Sequence, residues 1–260
     1  MFKLNKDSVF GTFVIIVALC LVCSVLVSSS VVALGPFQQA AIANDRQVNI
    51  LRVSGFEVEG SVAETYSKHI EAKLLDVATG KFTDAPASEA DGFNFQSLAK
   101  DPAFNVAIPA EEDFAGIRTR TKLMPVFLSK DDQGQVVRYI LPFYGQGLWS
   151  TMYGYVAVAP DGNTIKAVTF YSHGETPGLG GEIDNPRWQA LWVDKKIFRE
   201  DGSRGFNISK TADHQGEGKD YDVDSLSGAT LTTNGVDRSA QYWLNVAYKP
   251  FLENLRKGES

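Results

Sequence analysis

Residues 224–235, Asp-Ser-Leu-Ser-Gly-Ala-Thr-Leu-Thr-Thr-Asn-Gly, place five hydroxyls directly before a predicted helix. Gly228 and Ala229 let another group come close to the backbone. The N–H groups that open a helix favour an anion, so a phosphate is a natural guest. The alternative is a Ser/Thr-rich loop with an N-cap at Thr232, Thr233 or Asn234. The segment holds no Lys or Arg, and Asp222 and Asp224 stand beside it. A free phosphomonoester carries close to two negative charges and usually recruits a basic clamp. A phosphodiester carries one, so an ester to a Thr hydroxyl makes such a clamp less necessary. Lys210 or Lys219 is available to supply one cation, but nothing in the sequence fixes either there.

Two further segments carry polar and flat groups. His173-Gly174-Glu175-Thr176-Pro177-Gly178-Leu179-Gly180-Gly181 follows a predicted strand. Its glycines and Pro177 shape a loop that cannot be regular structure. His173, Glu175 and Thr176 are of the types that hydrogen-bond a heterocycle edge; the alternative is a tight turn with solvated polar groups. No second His or Cys stands at metal-ligand spacing from His173, so no metal site is expected. In residues 145–155, GQGLWSTMYGY, Trp149 either stacks on a flat ring or belongs to the core.

The elements that must position these segments follow from periodicity and turn signals. A helix is predicted over 38–53, stopped at Gly55, and a second over 61–77, with Val62, Tyr66, Ile70 and Leu74 at helical spacing. Residues 81–123 read as loops with short elements. Strands 126–129 and 136–141 flank Asp131-Asp132-Gln133-Gly134, and strands 153–159 and 165–171 flank Pro160-Asp161-Gly162-Asn163; both pairs read as hairpins. A helix over 186–196 presents Trp188, Leu191 and Trp192, and a last one starts after Asn234 and runs towards Leu255. The order predicts an α+β fold, an antiparallel sheet with flanking helices, preceded by one N-terminal transmembrane helix.

That helix is read from residues 9–34, an uncharged and mostly apolar run. A helix of this length spans the ~30 Å hydrocarbon layer with room for tilt. Lys3 and Lys6 precede it, so residues 1–8 are expected in the cytoplasm and residues 35–260 form a periplasmic domain at the bacterial inner membrane. The competing reading is a cleaved signal peptide, with Ala41-Ile42-Ala43 as a small-x-small site. Signal h-regions run only ~7–15 residues, which favours an uncleaved anchor. Cys20 and Cys23 share one face of the span; a metal or redox role is the alternative to two small apolar residues at a helix contact, which is the simpler reading. The rest of the chain has no cysteine and must fold without disulfides. A net charge of −6 gives no electrostatic reason to bind nucleic acid.

Taken together, the segments resemble the FMN-binding domain of the C subunit of the sodium-translocating NADH:quinone reductases. That family's attachment motif, Asp, two variable residues, Ser or Thr, Gly, Ala, Thr, is matched by Asp224, Ser227, Gly228, Ala229 and Thr230. HGETPGLGGE, GQGLWSTMYGY, DRQVNIL at 45–51 and LLDVATG at 74–80 match as well, in the right order. The resemblance implies covalent FMN, its phosphate esterified to Thr230. It implies Ser227, Gly228, Ala229 and Thr233 around the phosphate, and Leu148, Trp149, Glu175, Thr176, Leu179 and Gly180 along the isoalloxazine. It implies no catalytic residue in the polypeptide, because the flavin does the redox chemistry. It further implies partner subunits of a membrane respiratory complex, which oxidise NADH and move sodium, and a flavin transferase that uses FAD and magnesium. The G subunit of Rnf-type complexes shares the attachment motif and ETPGLG; GLWS, MYGY and the 81–125 region favour the sodium-pump subunit. From another class, a non-redox module gripping a phosphorylated ligand remains an alternative.

Overall fold

The computed structural model describes residues 9–58 and 60–259, so Lys3 and Lys6, on which the orientation rests, lie outside the described residues. The chain divides into two units, Met1–Arg46 and Gln47–Ser260. The first helix, α1 (Val9–Ser54), runs past the predicted span and contains Pro36. Its apolar window has a mean hydropathy of 2.9 and is almost wholly uncovered, long and apolar enough to cross a membrane. Cys20 and Cys23 are free and exposed on it.

The second unit is an α+β domain. After α1 come α2 (Val62–His69), β1 (Ile70–Asp76), β2 (Lys81–Phe82), α3 (Ala87–Gly92), α4 (Phe95–Leu98), β3 (Asn105–Ala107), β4 (Thr119–Thr121), β5 (Leu123–Lys130), β6 (Val136–Gln146), β7 (Thr151–Val158) and β8 (Ile165–Ser172). Then follow α5 (Pro186–Ala190), β9 (Asn207–Ser209), β10 (Asp222–Asp224), α6 (Thr230–Tyr242) and α7 (Lys249–Lys257). Six strands form one antiparallel sheet in the order β2-β1-β5-β6-β7-β8.

Both faces of the sheet are covered. Leu75, Val126, Leu141, Phe143 and Val156 pack with Trp192, Val236, Trp243 and Phe251 on one face. Ala72, Leu74, Phe127, Ile140 and Tyr155 pack with Ile50, Leu51, Val53 and Tyr66 on the other. The alternation along each strand is the period of two that a strand requires.

The predicted helix over 61–77 is corrected. Its first half is right: Ser61 and Glu64 form a reciprocal capping box, and α2 ends at His69. From Ile70 the chain becomes β1, paired residue by residue with β5 from Ile70↔Ser129 to Asp76↔Leu123. Ile70 and Leu74 fit helical spacing, but Leu74 and Leu75 face opposite cores, which only a strand allows.

The helix over 186–196 is also shorter than expected. After Ala190 the chain turns, Asp194 adopts a left-handed φ of 64°, and residues 194 and 195 bond the start of β8. The last helix begins at Thr230, ahead of the predicted start after Asn234, and changes to a π-turn over Trp243–Ala247 before α7. Pro250 stands in the first turn of α7, where its missing N–H costs no helix bond. Trp243 Nε1 donates to Tyr144 O at 2.6 Å and Tyr248 Oη to Pro142 O at 2.7 Å, pinning this break onto β6.

Candidate flavin site

Three pieces of chain meet at one end of the sheet: the β6–β7 tip, the loop after β8 and the first turn of α6. The tip, 147–150, closes through Gly147 N–H to Ser150 O at 2.8 Å. α6 lies against it because Gly235 has no side chain; a Cβ there would stand 2.5 Å from Gln146 O. β10 leads into α6, and Asp224 of the motif is used to hold that strand. Its carbonyl accepts Trp188 Nε1–H at 2.8 Å, and its carboxylate sits 3.0 Å from His214 Nε2.

Glu175 joins the three pieces. Its Oε1 accepts the N–H of Trp149 at 2.9 Å and of Ser150 at 3.4 Å. Its Oε2 accepts the N–H of Leu148 at 3.3 Å and the hydroxyl of Thr232. The side chain is buried, at 4% exposure. Burial pushes its carboxyl up, but the Thr232 hydroxyl and the N–H groups of Trp149, Leu148 and Ser150 outweigh this and hold it below the ordinary glutamate range. Gly147 and Gly180 make room for it: a Cβ on Gly147 would lie 2.6 Å from Oε1, and one on Gly180 would strike Thr232 Oγ1.

Neighbouring bonds shape the loop after β8. His173 Nδ1 accepts the Glu175 N–H at 3.2 Å, and Nε2 lies 2.8 Å from Asp184 Oδ2. Gly174 N–H donates to Ser150 Oγ at 2.6 Å. Among the described residues, no group of three His, Cys, Asp or Glu is placed to hold a metal.

Above Glu175 opens a cleft of about 220 Å³. It brings together Leu148, Trp149, Glu175, Thr176, Leu179, Gly180, Gly228, Ala229 and Thr230 from the sequence reading. Trp149 is 68% exposed, so it is a wall of the cleft and not a core residue. Ser227 is exposed and does not line the cleft. Thr233 is buried in α6, where its hydroxyl donates to Ala229 O at 2.9 Å and accepts Leu226 N–H at 3.3 Å. Sequence reasoning does not assign Leu231 and Thr232 to the site, although both line it. Leu231, apolar and exposed amid hydroxyls, is the available signal.

The cleft suits a flat apolar group with an anionic tail. Leu148, Trp149 and Leu179 supply apolar walls. At the other end α6 begins without a side-chain cap. Its first backbone bond is Thr233 N–H to Ala229 O, which leaves the N–H groups of 230–232 without intrahelical acceptors. Among the described residues, no Lys or Arg lines the cleft. Sites that bury most of a drug-sized ligand run to ~300–1,000 Å³, so a ring held here keeps an edge in the open.

Residues 147–245, which span all three pieces, match the family model described as an FMN-binding domain. Over 258 residues the chain is 46% identical to the C subunit of the Na(+)-translocating NADH-quinone reductase of Haemophilus ducreyi, covering 98% of each. It is 43% identical over 257 residues to the corresponding C subunit of Neisseria meningitidis serogroup B, covering 98% of this chain and 97% of the relative. Among solved structures, Shewanella oneidensis NqrC matches with a TM-score of 0.77 and 32% identity, over 84% of this chain and 99% of that one. The C subunit of the Parabacteroides distasonis reductase matches with a TM-score of 0.65 and 29% identity, over 83% and 95%.

Proposed function

The chain belongs to the family of C subunits of the Na(+)-translocating NADH-quinone reductases, and we propose that its FMN is esterified through the phosphate to Thr230. It is an electron-transfer subunit, and the bound FMN supplies reversible electron exchange. The polypeptide's part is to hold and orient that group.

The observation that carries the ester assignment is the state of the five hydroxyls. Thr232 and Thr233 are buried, and both hydroxyls are engaged. Ser225 and Ser227 do not line the cleft. Thr230 lines it, is half-buried, and among the described residues its hydroxyl has no hydrogen-bond partner. The pairing of Thr232 with a carboxylate looks like an activated nucleophile. It is a poor one: Glu175 already accepts four donors and is held below the ordinary glutamate range, which weakens it as a base.

Loading requires a flavin transferase and a flavin dinucleotide. The Thr230 Oγ–P bond forms, the pyrophosphate bond breaks, AMP leaves, and the hydroxyl proton is released. Once attached, the phosphodiester sits at the first residue of α6, where the unpaired N–H groups and the helix dipole stabilise its single charge by about 0.3–1 kcal/mol.

The chain works as part of a complex whose other subunits oxidise NADH and move sodium. α1 anchors it, with the N-terminus in the cytoplasm and the flavin domain in the periplasm of the inner membrane. Mass spectrometry of the intact protein from native membranes tests the linkage: one FMN-sized increment that survives denaturation is expected, and the bare polypeptide mass refutes it. Protease added to spheroplasts tests the orientation: digestion of the domain after residue 47 is expected, and protection refutes it.

A further inference from the structure

We propose that Glu175 is a positioning residue: its carboxylate locks the Leu148-Trp149-Ser150 tip to the first turn of α6 and so sets the Trp149 indole as a fixed wall of the ring's seat. This deepens, and rests on, the reading of the cleft as the flavin site. An ester at Thr230 secures only the phosphate end of the cofactor. The ring end depends on the tip, whose indole is itself 68% exposed and gains little from burial. What fixes the tip is its backbone. Three successive N–H groups, of 148, 149 and 150, converge on one carboxylate. The same carboxylate takes the hydroxyl of Thr232, two residues past the attachment point. Tip and attachment turn therefore share one acceptor, buried at 4% exposure, and cannot shift independently without stranding a donor.

The chemistry of the acceptor makes the claim specific. Both oxygens of Glu175 are needed, because each accepts two donors. Glutamine has the same shape but offers one oxygen and one NH₂. If its oxygen keeps Trp149 and Ser150, its NH₂ faces the N–H of Leu148 and repels it. If it turns over, Trp149 and Ser150 lose their acceptor. Either way the tip loosens while the fold around it stays.

The test uses the full chain, co-expressed with a flavin transferase, as wild type, Glu175→Gln and Ile183→Val. The last trims the neighbouring core and touches none of these bonds. Glu175→Gln is expected to keep covalent flavin on a denaturing gel. In the native protein, its visible flavin circular dichroism should fall at least twofold and its indole quenching should weaken. Ile183→Val should keep wild-type values of both. Unchanged signals in Glu175→Gln, or equal losses in Ile183→Val, overturn the proposal. If the wild type carries no covalent flavin, the ester reading fails by itself, and free FMN is titrated into the same chains. At least tenfold weaker binding by Glu175→Gln alone then supports the lock, and equal binding overturns it.

Discussion

The hydroxyl of Thr232 donates to Glu175 Oε2 across 57 residues of chain. The bond engages that hydroxyl and ties the helix that carries Thr230 to the loop after β8, whose Glu175 in turn accepts the N–H of Trp149. The first turn of α6 and the Trp149 tip thus share the same buried carboxylate.

The lock makes stability depend on acid. The folded Glu175 carboxyl is held below its ordinary value of 4.5, so its contribution is complete above that value and is lost as pH falls through the lower, folded value. Glu175→Gln should cost about 1–3 kcal/mol at neutral pH. Thermal melting from pH 7 to 3 should show the gap between wild type and variant narrowing below 4.5. A gap that widens in acid contradicts this.

Close approach at Gly180 gives a second expectation. A Cβ there would press on Thr232 Oγ1 and lie 3.0 Å from Glu175 Oε2, so Gly180→Ala should destabilise by ~1–3 kcal/mol. Gly92→Ala, with nothing within 4 Å of its Cβ, should change stability by less than ~0.5 kcal/mol. Urea titration of both variants decides; equal midpoints would remove the argument from packing.

Trp149 and Trp243 should behave oppositely. Trp149→Leu removes an exposed ring and should leave unfolding free energy within ~0.5 kcal/mol of wild type, while reducing the emission difference between apo and holo forms. Trp243→Leu removes a fully buried indole and its bond to Tyr144 O, and should cost ~3 kcal/mol or more. A Trp149→Leu chain as unstable as Trp243→Leu would make Trp149 a core residue after all.

Much of this is legible in the sequence, for reasons that differ by residue. The hairpins are visible because their turns carry Asp131 to Gly134 and Pro160 to Asn163 between strand-forming runs. Most of the cleft is visible because its pieces are locally unusual: glycines beside a Trp, and hydroxyls before a helix. β1 reads as helix because Leu74 and Leu75 serve opposite cores, and a strand buried on both faces keeps no simple period. The start of α6 is displaced in the sequence reading because Thr232 and Thr233 look like caps, whereas their hydroxyls serve Glu175 and Ala229 O. The pairing of Glu175 with Thr232 leaves no local trace, since neither residue's neighbours announce the other.

The most direct test of the central claim is to map flavin on chains that differ by single hydroxyls. Wild type, Thr230→Val, Thr232→Val and Thr233→Val are each expressed with a flavin transferase, denatured, viewed under ultraviolet light and digested for mass spectrometry. Valine keeps the branched shape, so removing a hydroxyl should cost no more than ~1–3 kcal/mol and the fold should survive. The account predicts a fluorescent wild type with the adduct on Thr230, a dark Thr230→Val, and fluorescent Thr232→Val and Thr233→Val. A fluorescent Thr230→Val chain, with its flavin on another hydroxyl, or a dark wild type beside an active transferase, would contradict it.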